Sequence, residues 1–280
     1  MKILSGIITY NPNIKRLEEN IRAVVDQVDL VLVIDNASNN VQDIWNLLND
    51  FSNISLIKNT GNLGVAHALN QEAIYGIKNS YEWLLSLDQD SVVPDGLIEE
   101  YKKYTEDDEI GMICCKIKDR NFGELDYAAK KTSGTEYAET CITSASLLKL
   151  SAWEKTGGYY EPFFIDSVDF DLCSSLIENG YKILRTNNVT LLHEVGQGTK
   201  VYVLGKDRQL TNHSPLRYYY IYRNGLKYGK RHHKFLRILR HCLFGFFLMN
   251  IFEKNRLEKD KMILKGIWHF VIGKYGKYEQ

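Results

Sequence analysis

The chain has 280 residues, 44% of them hydrophobic and 25% charged, and Lys+Arg and Asp+Glu are equal at 35 each. That length carries a full core in one large domain or two small ones, and the ordinary composition excludes a collagen-like, low-complexity or disulfide-scaffold chain. The zero net charge hides a split: residues 1–214 hold 20 Lys+Arg against 31 Asp+Glu, which leaves 15 against 4 for residues 215–280, so an acidic body carries a basic tail suited to anions.

Strand and helix patterns alternate from the start. ILSGIIT (3–9) predicts a buried strand, and Ile14, Leu17, Ile21, Val24, Val25 and Val28 follow at helical spacing. LVLVID (30–35) is a second strand, and a helix is expected over 41–49. ISLIKN (54–59), a helix over 64–78, YEWLLSLD (81–88), a helix over 95–104 and IGMICCKI (110–117) complete the alternation. Continuous apolar strands joined by amphipathic helices predict an α/β fold, with a mostly parallel sheet flanked by helices on both faces. Ligands of such sheets sit outside the carboxyl ends of the strands. Here every end is polar: Thr9 to Pro12, Asp35 to Ser38, Asn59 to Gly64, and Asp88 to Asp90. Periodicity weakens after residue 118. A hairpin or loop is expected over 119–140, helices over about 144–156 and 169–179, and a basic helical extension over 215–280.

The five cysteines are odd in number and show no CxxC or metal-ligand spacing. They read as buried thiols of a reducing compartment. MKILSGIITYN is too soon polar for a signal peptide. The apolar run LFGFFLMNIF (243–252) is half of the about 20 residues a spanning helix needs. The expectation is a cytoplasmic protein without a membrane span.

Asp88 and Asp90 share a side if the strand continues through them. Two close carboxylates repel each other, and a divalent cation relieves the repulsion. Mg²⁺ takes one or two carboxylates and completes its shell with water and phosphate oxygens, and Mn²⁺ suits the same ligands. The other reading is a turn with capping aspartates ahead of Pro94-Asp95-Gly96.

TYNP (9–12), VIDNAS (33–38), NTGNLGVAHALNQ (59–71), LLSLDQDS (84–91), FFIDSVDFDLC (163–173), LLHEVG (191–196) and SPLRYYYIYRN (214–224) occur in this order. Together they resemble the inverting family 2 glycosyltransferases. FIDSVDFDLC, RYYYIYRN and GIWHFVIGKYGK are most similar to the bacterial rhamnosyltransferase branch. The resemblance implies a GT-A (Rossmann-like) nucleotide-sugar-binding and catalytic domain over 1–214, followed by the helical extension. It implies donor contacts from Thr9, Tyr10, Asn11, Asn62, Gly64 and Asp88, and an Asp35 carboxylate that accepts from the pyrimidine imide. An Asx-turn is the plainer reading of Asp35. The metal, Mn²⁺ or Mg²⁺, falls to Asp88, Asp90 and His193.

An inverting transfer needs one base for the acceptor hydroxyl, and the resemblance assigns it to Asp169. The family's preceding acid is replaced here by Val168. Asp166, Ser144 and Arg217 fall on the acceptor side with Thr143 and Ser146, although helix capping is the preferred reading of Thr143, Ser144 and Ser146. Arg217 and Arg223 reach phosphates or pair with the acidic body.

The implied reaction is metal-dependent transfer of L-rhamnose from dTDP-rhamnose to a surface polysaccharide or lipid-linked oligosaccharide. A UDP-hexose or UDP-galactofuranose donor would use the same parts. Basic residues beside LFGFFLMNIF fit a helix lying on an anionic membrane, and packing on the body is the alternative. No nucleic-acid motif accompanies the charge, so nucleic acid is not an expected partner. LSLDQDSVV also fits a haloacid dehalogenase-type phosphatase motif, although that motif normally follows a first strand. A non-catalytic nucleotide-sugar-binding protein is the remaining alternative.

Overall fold

The structure is a computed structural model that describes residues 1–119, 123–124, 133–193, 199–203, 205–210 and 212–279. Its first half is β1 (Ile3–Thr9), α1 (Ile14–Val24), β2 (Leu30–Asp35), α2 (Val41–Leu48), β3 (Ile54–Lys58), α3 (Val65–Lys78), β4 (Trp83–Asp88), α4 (Leu97–Lys102) and β5 (Ile110–Asp119). Each of these elements coincides with one expected from periodicity. β6 (Gly123–Glu124), β7 (Thr135–Tyr137), β8 (Ser146–Lys149), α5 (Leu150–Thr156), α6 (Val168–Glu178) and β9 (Lys182–His193) follow. A hairpin of β10 (Thr199–Val203) and β11 (Lys206–Leu210) leads to α7 (Pro215–Arg231), α8 (Phe235–Phe252) and α9 (Arg256–Ile272).

The main sheet runs β3-β2-β1-β4-β8-β5-β9-β7, with the short β6 paired to β5. β3, β2, β1 and β4 are parallel, so their carboxyl ends share one edge. Register sets Thr9 beside Asp35, Asp35 beside Lys58, and Ile8 beside Asp88. β1 is buried along almost its whole length, which is why it reads as a continuous apolar run rather than an alternating one. Ile3 and Ile7 join the core under α1, α2 and α4, and Leu4 joins the core under α3. The chain entering α1 is fixed by Asn13, whose side chain accepts from Arg16 N.

α3 lies unusually close to the sheet. A Cβ on Gly6 would overlap the carboxyl group of Glu72. Glu72 is fully buried, accepts from Ser86 Oγ at 3.2 Å, and burial pushes its carboxyl well above the usual range.

Two expectations change. The helix expected from about 144 begins only at Leu150, because Ser146–Lys149 is strand β8, inserted antiparallel between β4 and β5. A four-residue apolar run carries no period long enough to separate strand from helix. The ten-residue apolar run at 243–252 is part of α8, whose 18 residues have a mean hydropathy of 1.5 and suffice, by length and composition, to cross a membrane. The sequence count stopped short because Arg237, Arg240 and His241 interrupt the apolar run without interrupting the helix.

Candidate active site

Four strand ends and one loop from the second half meet at the common edge. Thr9 and Asp35 are both buried there. The Asp35 carboxylate accepts from Thr9 Oγ1 at 3.0 Å, from Ser38 N at 3.0 Å and from Ser38 Oγ. Asp35 is thus the anchor of an Asx-type turn, and its two oxygens offer about four acceptor positions, so the turn leaves capacity for one further donor. Asn11, at φ +49°, donates its N–H to Ser38 Oγ at 2.8 Å, and its side-chain oxygen accepts from Asn39 N at 2.8 Å. Tyr10 is exposed, and its N–H donates to Gln89 Oε1 at 2.9 Å. That contact ties the β1 loop to the turn after β4.

Asn62 Oδ1 accepts from Gly64 N at 3.0 Å. Gly64 has φ +92°, and a Cβ there would lie 2.6 Å from the carbonyl oxygen of Phe164. The same carbonyl accepts from Val65 N at 2.7 Å. The loop after β3 and the loop leading to α6 therefore touch at this glycine, which needs both the left-handed backbone and the missing side chain.

β4 stops at Asp88, and Gln89 and Asp90 form a turn, so the two aspartates are not neighbours on one face of a continuing strand. Both remain at the edge and exposed. Asp88 O accepts from Asn20 Nδ2 at 2.7 Å and from Ser91 N at 3.2 Å. Beneath the turn, buried Ser144 accepts from Asp88 N at 3.4 Å and donates to Ser91 Oγ at 2.6 Å. Ser144 thus supports the turn rather than facing an acceptor, a correction to its expected role. Ser146 is equally buried and donates to Thr143 O.

Among the described residues no group of three or more His, Cys, Asp or Glu side chains forms a metal site. Two exposed carboxylates at a turn held through the Asp88 backbone by Asn20 and Ser144 still suit a hard divalent cation that takes the rest of its shell from water and phosphate. His193 ends β9, and its side chain lies outside the described residues.

The 163–171 segment holds the other acids. Phe164, Asp166 and Ser167 all have positive φ (+66°, +66° and +64°) without being glycine. Such residues persist only where surrounding structure over-determines them. Here α7 does so. Asn224 Nδ2 donates to Phe163 O at 2.8 Å and to Ile165 O at 2.6 Å. Arg223 donates to Phe163 O at 3.2 Å and Gly276 O at 2.8 Å. Both side chains are fully buried. Arg223 is therefore a clamp on carbonyls, in place of either expected role, phosphate contact or pairing with the acidic body.

The strained loop delivers Asp169 to the first turn of α6, half-buried, with Oδ1 accepting from Phe170 N at 2.9 Å. Tyr159, Leu172 and Cys173 stand around it. Burial pushes its carboxyl up to about 7, and the charges of Asp166 and Asp88 add to the rise. Asp166 is raised by burial to about 6, against the pull of Arg217, whose Nε lies 2.9 Å from Oδ1. Arg217 thus pairs with Asp166, one of its two expected roles. Asp171 is fully buried and accepts from Arg231 Nε at 2.8 Å and His232 Nε2 at 2.9 Å. It ties α6 to the end of α7.

Sequence reasoning missed Asn224. Its only signal is an amide next to an arginine in an otherwise aromatic helix face. Asn224→Ala removes two strong bonds to the strained loop, and Phe163 O keeps only its bond from Arg223. With Asp169 as the base that the resemblance implies, the substitution is expected to lower kcat by about 10- to 100-fold through misplacement of that residue, with donor KM unchanged. Steady-state kinetics that move KM and leave kcat alone would contradict this.

Residues 6–171, more than half of the chain, match Glycosyl transferase family 2. A curated relative, the dTDP-rhamnosyl transferase RfbF of Shigella flexneri, is 26% identical over 277 residues, which cover 92% of this chain and 92% of the relative. Among solved structures, S. aureus TarS 1-349 in complex with UDP-GlcNAc superposes with a TM-score of 0.62 at 16% identity, covering 98% of this chain and 82% of that one. GalNAc-T7 with UDP, GalNAc and Mn²⁺ superposes with a TM-score of 0.59 at 13% identity over 82% of this chain, which spans 48% of that protein's length. At such identities the likeness is one of fold, the GT-A fold expected from the motifs. The phosphatase and non-catalytic alternatives fall away, since the parallel sheet edge, the motif order and the family match agree: the chain belongs to glycosyl transferase family 2 and is a glycosyltransferase.

Proposed function

We propose that this glycosyltransferase moves L-rhamnose from dTDP-rhamnose, with inversion, to a surface-polysaccharide or lipid-linked oligosaccharide acceptor on the cytoplasmic face of a bacterial membrane. The observation that carries the reaction is Asp169: a half-buried carboxyl raised to about 7, in the electrostatic reach of Asp88. A base is most effective when its pKa lies near the working pH. The rhamnosyl transferase relative, matched along 92% of both chains, supports the donor.

In this reading Asp35 and the Thr9–Asn11 loop receive the pyrimidine nucleoside, and Asn62 and Gly64 shape the loop beside it. Asp88 and Asp90 hold a divalent cation, which when bound offsets charge on the departing diphosphate. The acceptor hydroxyl gives its proton to an Asp169 oxygen as its own oxygen bonds to the anomeric carbon. The bond from that carbon to dTDP breaks on the opposite face. No covalent enzyme intermediate is needed. Arg217 holds Asp166 in an ion pair, which leaves Asp169 as the carboxylate open to the acceptor hydroxyl.

Thermal shifts with dTDP-rhamnose, UDP-glucose, UDP-galactose and GDP-mannose, each with and without Mn²⁺, test the reading. At a hundredfold excess over Kd a ligand adds about 2.7 kcal/mol, or roughly 5–10 °C in Tm for a chain of this size. The largest shift is expected for dTDP-rhamnose with Mn²⁺. A larger shift with another donor overturns the donor assignment, and shifts indifferent to metal overturn the cation.

A further inference from the structure

α8 and α9 each carry an outward stripe that nothing among the described residues covers. On α8 it is Leu236, Arg240, Leu243, Phe247 and Ile251. On α9 it is Leu257, Lys261, Leu264, Trp268 and Ile272. Both stripes step by four, three, four and four residues. Both run in the same order of types: leucine, cation, leucine, aromatic, isoleucine. Such a pattern keeps one face of a helix. Leu257 is 77% exposed, Leu243 61% and Trp268 60%, values far from those of core residues.

The opposite faces are the packed ones. Cys242, Leu248 and Met249 of α8 and Ile263, Gly266 and His269 of α9 are buried, and both helices pack on α7. Tyr222 Oη donates to Cys242 O at 2.9 Å, and a Cβ on Gly266 would stand 2.5 Å from Tyr219 O. Asn250 Nδ2 donates to Asp260 Oδ1 at 2.9 Å, joining the two helices. α8 is long enough to cross a bilayer, but crossing would strip these contacts from α7. Lying flat keeps them.

We propose that the outward faces of α8 and α9 form one docking surface for an anionic lipid bilayer. Charge selects this occupant: α8 carries Arg237 and Arg240 and no acid, and α9 carries Arg256, Lys259, Lys261 and Lys265 against Glu258 and Asp260, and cations within apolar stripes extend to headgroups while their stems stay in the acyl boundary. Tryptophan and phenylalanine sit at that depth. A nucleic-acid surface would not expose leucines and isoleucines, and a second copy of this basic face would bring like charges together. The surface deepens the lipid-linked acceptor reading without depending on it. α7 carries both α8–α9 and the clamp on the Asp169 loop, so docking fixes the height of that loop above the bilayer.

The test is co-sedimentation of the full chain with vesicles of phosphatidylcholine alone or mixed with phosphatidylglycerol, at low and high salt. Binding to the mixed vesicles is expected, about tenfold weaker at high salt and on pure phosphatidylcholine. The F247E/W268E double variant is expected to lose tenfold or more in partition, with unchanged circular dichroism, melting and donor hydrolysis. R240A/K261A should lose affinity for the anionic vesicles only. Equal binding by F247E/W268E and the parent chain overturns the proposal. So does an absence of vesicle binding, or a dimer in sedimentation that F247E/W268E dissociates. Vesicle binding needs no sugar donor, so failed docking with intact transfer sinks the surface alone. Failed transfer with intact docking sinks the donor assignment alone.

Discussion

Replacing Asp169 by Asn is expected to cut transfer by about 10²–10⁴-fold, the usual contribution of a positioned base, while donor binding in thermal shift stays within about twofold of the parent. The asparagine keeps the shape and can still accept from Phe170 N, so the loop geometry survives. What goes, in the proposed mechanism, is the group that takes the acceptor's proton. In the parent enzyme kcat/KM should rise with pH through about 7, the value to which burial and the Asp166 and Asp88 charges lift this carboxyl. The variant should lose that limb. Stability should move the other way. The folded pKa lies above the unfolded value of about 3.9, so the folded state holds the proton longer, and stability falls as pH rises from about 4 through about 7 and then levels. The amide of the variant carries no such charge. It is therefore expected to match the parent near pH 4 and to melt a few degrees higher at pH 8. An active variant, or one that melts lower at pH 8, would remove Asp169 from the role of buried base.

The parts of this site that the sequence made legible are those with a period or a strand end. β1 to β5 and the helices between them follow from apolar runs and helical spacing, because both faces of the sheet are covered and most buried strand positions are apolar. The strand ends then place Thr9, Asp35, Asn62 and Asp88 on one edge without coordinates. The second half is different. β8 is too short for its spacing to mean anything, yet it is what separates β4 from β5 and puts Ser144 under the Asp88 turn. The three left-handed residues at 164, 166 and 167 carry no glycine to announce them. They are held by Asn224 and Arg223 from about 60 residues away in sequence, a long-range bond that no local pattern encodes. Asp171 shows the same limit: in sequence it is one of three similar aspartates, and only its pairing with Arg231 and His232 makes it an anchor. Motif resemblance locates the acids, and only their burial and partners tell them apart.

Asp88→Asn is the second large effect, and it separates electrostatics from architecture. The backbone of Asp88 does structural work: its carbonyl accepts from Asn20 and its N–H donates to Ser144. An isosteric amide leaves both bonds in place, so the melting temperature without ligand should change little. The carboxylate's charge is what the swap removes. That charge raises the Asp169 carboxyl and also that of buried Glu72, so the acid limb of kcat/KM should shift to lower pH in the variant. The transfer rate should fall by about 10²–10³-fold, the scale of losing one preorganised electrostatic partner of the developing charge. The additional Tm gained from Mn²⁺ in the presence of dTDP-rhamnose should vanish, because a single carboxylate at Asp90 no longer gives the cation its pair. Asp90→Asn should reproduce the lost metal response with a smaller pH shift, since Asp88 rather than Asp90 is among the main charges that raise Asp169. A D88N enzyme that keeps full Mn²⁺-dependent turnover would place the cation elsewhere on the edge. A D88N enzyme that loses turnover but keeps the Mn²⁺ response would show that the carboxylate acts on the reaction through Asp169 instead.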